Sequence, residues 1–315
     1  MTTGSPADVH AVAEHHLARG TTTMLASLVS ATPDDVTRSV EAIRDAVRDG
    51  SSVVGSHVEG PFLGAGHCGA HDPTLLRAPD PELVARWLKA SDGTLAMMTL
   101  APELDHAAHV SRQLAEVGAV VAVGHTDADA RTFAAALDGP ASLVTHLFNG
   151  MAPLHHREPG PVAAALTALA SGTTRVELIA DGTHLADETV RLVFALAPAD
   201  GVVLISDAMA AAGMPDGQYQ LGPLEVDVVD AVAWTRGDSP SIAGSTAHLA
   251  DVLRHTVVSA GIDPVQAVRA ATATPTSLLG LTDRGRLEPG LRADLICLDE
   301  DWHVTEVLRA GVPVR

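Results

Sequence analysis

Seven short apolar runs, at residues 21–29, 52–58, 94–100, 119–124, 142–147, 176–180 and 202–206, alternate with amphipathic stretches at 7–17, 33–49, 81–90, 105–117, 127–137, 160–170 and 187–196. Strands that are apolar along their whole length need cover on both faces, and a parallel sheet with crossover helices supplies it. The stretch at 33–49 shows the helical logic. Thr32 stands at the N-cap position, Val36, Val40, Ile43 and Val47 share one stripe, and Gly50 ends the run. The expected fold class is therefore α/β, a (β/α)8 TIM-type barrel. Seven strands are one short of that barrel, and the first helix lies where the helix after a first strand would be, so the missing strand is the first.

After Asp207 the rhythm changes. Short alternating pieces between 213 and 240 read as hairpin strands inserted late in the barrel, and helices resume at 246–260 and 264–279. The tail from Gly285 reads as two or three antiparallel strands that need a partner sheet. The expected division is a barrel over 1–284, with the insertion at about 213–240, and a separate strand unit over 285–315.

Charge narrows the partners. With 20 basic and 39 acidic residues the net charge is -19, which opposes nucleic acid or an anionic membrane surface. No run reaches the length of a membrane span and no leader pattern opens the chain, so a cytoplasmic location is expected. Cys68 and Cys297 cannot build a disulfide framework. The single lysine, Lys89, falls in a predicted helix, which leaves arginine and histidine to meet any anionic ligand.

Functional groups in a (β/α) barrel collect at the C-terminal ends of the strands. Here those ends carry Glu59, His125, His146, the Asp181-Gly-Thr-His184 run and Asp207. Two histidines with one carboxylate, leaving a position open for water, form a catalytic zinc set. The loop from Glu59 to about Asp80, rich in Gly, His and Pro, is long enough to be functional. Seven other histidines, His15, His16, His106, His109, His248, His255 and His303, have no acid at ligand spacing and read as surface residues.

The segments His57-Val-Glu-Gly-Pro-Phe62, Gly69-Ala-His71, Leu100-Ala-Pro-Glu103, Val123-Gly-His-Thr126, Thr145-His-Leu-Phe-Asn-Gly-Met151, Arg157-Glu-Pro-Gly160, Ala180-Asp-Gly-Thr-His184 and Ser206-Asp-Ala-Met209 occur in an order that resembles the N-acetylglucosamine-6-phosphate deacetylase family of the amidohydrolase superfamily. The resemblance implies a barrel of the metal-dependent hydrolase kind with a small β-sandwich built from both termini. Of that sandwich, residues 285–315 would be the C-terminal remnant. It implies removal of acetate from a phosphorylated amino sugar by a metal-activated water. Glu59, His125 and His146 would hold one divalent ion, zinc first among the choices, with iron or another divalent ion as alternatives. Asp207 would be the acid/base, and His71 would polarise the acetyl carbonyl. Arg157 and His184 would meet the phosphate, Arg157 reaching the site across a homodimer interface. Ala70, His71, Asn149, Gly150 and Ala243 would hold the sugar.

The chain departs from that family in lacking the first barrel strand and its His-x-His pair, which excludes a second ion on those residues. The expectation is a misassigned start codon or a fragment. Two alternatives remain: a truncated inactive homologue that only binds sugar phosphate, and another amidohydrolase, such as a dihydroorotase-like enzyme. The latter is disfavoured because a bridging lysine is needed and Lys89 lies in a helix. Cys68, in the same loop as His71, would be open to oxidation if exposed.

Overall fold

The computed structural model describes residues 4–237 and 240–314. Its main sheet runs β1 (Met24–Leu28), β2 (Val53–Glu59), β3 (Leu95–Leu100), β4 (Val120–Val123), β5 (Leu143–Val144), β6 (Arg175–Leu178) and β7 (Val202–Leu204). All six pairings are parallel and follow chain order, giving a half-barrel with β1 and β7 at its two ends. Helices α1 (Pro6–Leu17), α2 (Pro33–Arg48), α3 (Pro81–Ser91), α4 (Ala107–Glu116), α5 (Ala130–Leu137), α6 (Gly160–Ala170) and α7 (Asp187–Leu196) alternate with the strands.

The caps explain where these helices start. Thr32 accepts from the Asp35 N–H at the head of α2, Asp80 accepts from Glu82 and Leu83 at α3, and Asp129 accepts from Thr132 at α5. Each helix lays its apolar stripe on the outer face of the sheet, and the strands alternate beneath. Val121, Val123, Val176 and Leu178 join the outer core. Met97, Val120, Ala122, Leu143 and Val203 point inward and close the floor together with Leu278 and Leu279. Trp87 on α3 is fully buried, stacks on Phe62 at 5.8 Å and donates its ring N–H to Pro33 O at 3.2 Å. That stack anchors the start of the long loop after β2.

Two elements differ from the sequence reading. The helix expected over 264–279 divides into α9 (Pro264–Ala271) and α10 (Ala273–Leu278), because Thr272 leaves helical geometry (φ -134, ψ -81). Pro275 is the cause, since its ring would clash with the Ala271 carbonyl in a continuous helix. The strand expected over 142–147 pairs only at Leu143–Val144, because the chain turns into left-handed geometry at His146 (φ 24) and Phe148 (φ 80).

Beyond β7, β8 (Gly217–Leu221), β9 (Leu224–Val229) and β10 (Val232–Thr235) form a small antiparallel sheet within the stretch expected as an insertion; residues 238–239 of that stretch lie outside the described residues. Its inner side chains Val226, Val228 and Ala233 pack with Ala243, and Ala70 rests against them. The insertion therefore fixes the loop that carries Ala70 and His71. Helix α8 (Leu249–Val258) follows, and the chain ends in an antiparallel sheet of β11 (Leu295–Leu298), β12 (Val304–Arg309) and β13 (Val312–Pro313).

Candidate active site

The two-residue alternation of the strands decides which side chains meet inside the half-barrel. On β2, Val58 faces the helices while His57 and Glu59 face inward; on β6, Val176 and Leu178 face out and Glu177 faces in. A cavity of about 1560 Å³ opens on this inner side. Of the residues singled out from sequence, Glu59, Ala70, His71, His125, His146, Asn149, Gly150, His184, Asp207 and Ala243 all line it. Arg157 does not. It is exposed on the loop before α6, where its guanidinium donates to His156 Nε2 at 2.7 Å.

Three ligand-type atoms converge at the centre. Glu59 Oε1 lies 3.2 Å from His125 Nε2 and 3.0 Å from His146 Nε2, and the two nitrogens are 3.0 Å apart. Ligands about 2.0–2.1 Å from a tetrahedral ion stand about 3.4 Å from one another, so the triangle is nearly the open face of such a site. The tautomers agree. His125 Nδ1 donates to the His67 carbonyl at 2.9 Å, which leaves its Nε2 with a free lone pair. His146 Nδ1 is buried without a partner among the described residues. Burial opposes charge on both Glu59 and His146. Hydrogen bonds with His125 and His146 nonetheless hold the Glu59 carboxyl well below the usual range, and the bond to Glu59 lifts His146 to about 9. The pocket thus favours a positive charge at the position a divalent cation would take.

Glu59, His71 and His125 also offer ligand atoms within 4.8 Å of one another. The hydrogen bonds give His71 a different part. Its Nδ1 accepts the Ser30 backbone N–H at 3.1 Å, and the Ser30 hydroxyl lies 2.9 Å away. In the neutral ring the proton then sits on Nε2, making that atom a donor. Burial, helped by the neighbouring His125, lowers the ring to about 3, so it stays neutral across the working range.

His125, His146 and Asp207 all carry positive φ (46, 24 and 48) at the points where strands end. Such geometry costs about 1–3 kcal/mol per residue and concentrates at functional sites. Gly150 makes one of these turns possible: a Cβ there would stand 2.6 Å from His125 Nδ1. Asp207 is half-buried, and its carboxyl is pushed up by burial and by the Glu59 charge. Beside it, Asp181 Oδ2 accepts from His184 Nδ1 at 2.9 Å and from the Ser245 hydroxyl at 2.7 Å.

Sequence reading missed two buried members of the cavity. Glu177 accepts the His146 N–H at 3.3 Å, and its carboxyl is pushed up to about 7 by burial. His57 bridges Ser27 Oγ at 3.0 Å and Thr99 Oγ1 at 2.8 Å. The inward parity of Glu177 and His57 on their strands was the available signal.

The surface reading of several histidines is also corrected. His16 and His248 are buried, with the rings of His15, His16 and His248 at 5.2–5.5 Å from one another. His16 shares the inner stripe of α1 with Val9 and Ala13, which carries it inward. His248, His255 and His303 do have acid partners, Asp251 at 3.2 Å, Asp187 at 2.8 Å and Asp299 at 3.5 Å. Cys68 is half-buried and its thiol is pushed up by burial, which disfavours the reactive thiolate.

Residues 6–314 match the amidohydrolase family. Among characterised relatives, N-acetylglucosamine-6-phosphate deacetylase of Danio rerio is 36% identical over 96% of this chain and 76% of its own length. N-acetylgalactosamine-6-phosphate deacetylase of Escherichia coli O157:H7 is 38% identical over 83% of this chain and 68% of its own. A solved structure of a mutant N-acetyl-D-glucosamine-6-phosphate deacetylase from Mycobacterium smegmatis, in complex with N-acetyl-D-glucosamine-6-phosphate, superposes with a TM-score of 0.92 at 44% identity. It covers 99% of this chain and 83% of that one.

Proposed function

The chain belongs to the amidohydrolase family, and within it to the N-acetylglucosamine-6-phosphate deacetylases, and we propose that it hydrolyses the acetamide of N-acetylglucosamine 6-phosphate to glucosamine 6-phosphate and acetate. The single observation that carries this reading is the triangle of Glu59, His125 and His146 beside Asp207 in one cavity.

Glu59, His125 and His146 would hold one divalent ion, zinc by the chemistry of two imidazoles and one carboxylate. Such an ion lowers the pKa of water and polarises a carbonyl. Asp207, its carboxyl raised by burial, takes the proton of the attacking water and returns it to the nitrogen of the leaving amine. His71, locked as an Nε2–H donor by Ser30, donates to the acetyl oxygen as negative charge gathers there. Asn149, Gly150, Ala70 and Ala243 hold the sugar from the cavity wall, and His184 meets the phosphate. Arg157, exposed on its own subunit, serves the site of a second copy in a homodimer.

The division into a barrel over 1–284 and a small strand unit over 285–315 belongs to the same reading, supported by the separate antiparallel sheet of β11, β12 and β13. So does a cytoplasmic setting, supported by two unpaired cysteines; no described helix is long and apolar enough to cross a membrane.

Acetate release from N-acetylglucosamine 6-phosphate by the purified protein with zinc tests the proposal, and absence of release overturns it. The 38% identity to a deacetylase named for the galactose epimer makes N-acetylgalactosamine 6-phosphate the comparison substrate. A higher kcat/KM for that sugar would reassign the preference.

A further inference from the structure

A second cavity, of about 490 Å³, opens at the other end of the main sheet. Val53 in its wall is the first residue of β2 and Glu59 is the last, so at about 3.3 Å per residue the two ends stand roughly 20 Å apart. Arg284, Arg292 and Arg309 line this cavity together with Val47, Val53 and Val54, and no described carboxylate does. Arg284 borders the large cavity as well. The acids paired with these arginines stand outside the lining. Arg284 donates to Asp283 through Nε at 2.8 Å and one η nitrogen at 3.0 Å, and to Thr23 Oγ1 through the other at 3.1 Å. Arg292 spends only Nε, on Asp294 Oδ1 at 2.8 Å. Arg309, the last residue of β12, donates through one η nitrogen to Gly50 O at 2.9 Å and Ser51 O at 2.5 Å. Both η nitrogens of Arg292 and the second of Arg309 are left without a partner among the described residues, and Arg309 Nε is buried without one. Burial and the Arg292 and Arg284 charges pull the Arg309 guanidinium below the usual arginine range, although Asp294 acts the other way.

We propose that this cavity is a second binding site, for the phosphate group of a small anion, held by the free η nitrogens of Arg292 and Arg309 with Arg284 adding charge. Three guanidinium groups on one cavity are a concentration of positive charge in a chain of net charge -19. Guanidinium is always charged and its planar fork matches a phosphate oxygen pair, while the valine walls strengthen each bond by keeping water away. Arg292 and Arg309 come from different segments, so a tetrahedral anion offers each its own oxygens where a planar carboxylate has two to share. A dianion there also relieves the repulsion among the three arginines. The volume falls within the roughly 300–1,000 Å³ of small-molecule sites, which leaves room for the organic part of a phosphate monoester. The inference stands apart from the deacetylase reading, since it uses none of the residues assigned to ion, proton transfer or sugar.

Inorganic phosphate is the probe, titrated into the purified protein by calorimetry at constant ionic strength. Arg292→Gln should weaken binding by about 10- to 100-fold, the loss of charge-assisted hydrogen bonds. Arg292→Lys, which keeps the charge without the fork, should fall between. Arg309→Gln also removes the bonds to Gly50 and Ser51, so the Arg292 variants carry the test. The binding lost in Arg292→Gln should persist in His184→Ala, which separates it from any phosphate held in the large cavity. Succinate, a dianion built of carboxylates, should bind more weakly than phosphate. If Arg292→Gln fails to fold, Arg292→Lys is scored alone, and an unchanged Kd there overturns the proposal. It is equally overturned by wild-type protein that binds no phosphate, by binding that disappears in His184→Ala and survives in Arg292→Gln, or by tighter binding of succinate.

Discussion

His57 provides a measurable link between the polar interior and acid stability. It is buried on the inner face of β2, with both ring nitrogens engaged by hydroxyls, and Thr99 Oγ1 passes the chain on to Thr145 Oγ1 at 2.8 Å. Burial lowers the ring to about 4 from 6.5, although the Glu59 charge pulls the other way. A histidine whose folded pKa is depressed gives stability that is present above its unfolded pKa and is lost as pH falls from 6.5 toward 4. That depression amounts to about 3 kcal/mol at full protonation. Evaluated at pH 5.0 against pH 7.5, linkage gives a loss of about 2 kcal/mol from this residue alone. His57→Gln keeps a donor and acceptor in place but cannot titrate. Urea unfolding of both proteins, stripped of metal, at pH 7.5 and 5.0 measures the difference. The variant starts about 1 kcal/mol less stable from its altered hydrogen bonds and should lose about 2 kcal/mol less on acidification. Equal losses in the two proteins would refute the argument, because the acid sensitivity would then lie elsewhere, at His16 or His71.

On the proposed ligand set Glu59→Gln removes the one negative ligand and should weaken zinc binding by more than about 100-fold, read by competition with a chromogenic chelator; unchanged affinity would exclude Glu59 from the ion. Asp207→Asn should lower kcat by about 100- to 10,000-fold while metal content stays stoichiometric, and equal loss of both would make its role structural. Gly150→Ala introduces a Cβ 2.6 Å from His125 Nδ1 at a residue with φ +61 and should cost about 1–3 kcal/mol together with weaker metal binding; a neutral melting temperature would contradict the close approach.

What could be read from sequence was what the chain writes locally. Continuous apolar runs alternating with helical stripes of period 3.6 located all seven strands of the main sheet, and the strand-end rule picked out Glu59, His125, His146 and Asp207 because such ends meet in one place by construction. Contacts made between distant segments were not legible. His15 and His16 lie on a helix whose inner face is visible, but nothing local says that His248 arrives beside them. Asp181 reads as a strand-end residue, but nothing local says that Ser245 reaches it from 64 positions away. Glu177 and His57 were hidden for another reason: polar residues inside an apolar strand look like noise unless the inward parity is followed. Pro275, which divides the expected helix over 264–279, is the one local signal there that the chain writes plainly.

The left-handed backbone at His125, His146 and Asp207 bears on how any alanine scan of this protein is interpreted. Alanine at such a position removes a functional group and also suits the turn differently from the residue it replaces, so the measured loss mixes chemistry with backbone preference. Asparagine tolerates that conformation far better than most residues, and glycine adopts it freely. Paired asparagine and glycine replacements at these three positions therefore separate what the side chain does from what the turn requires.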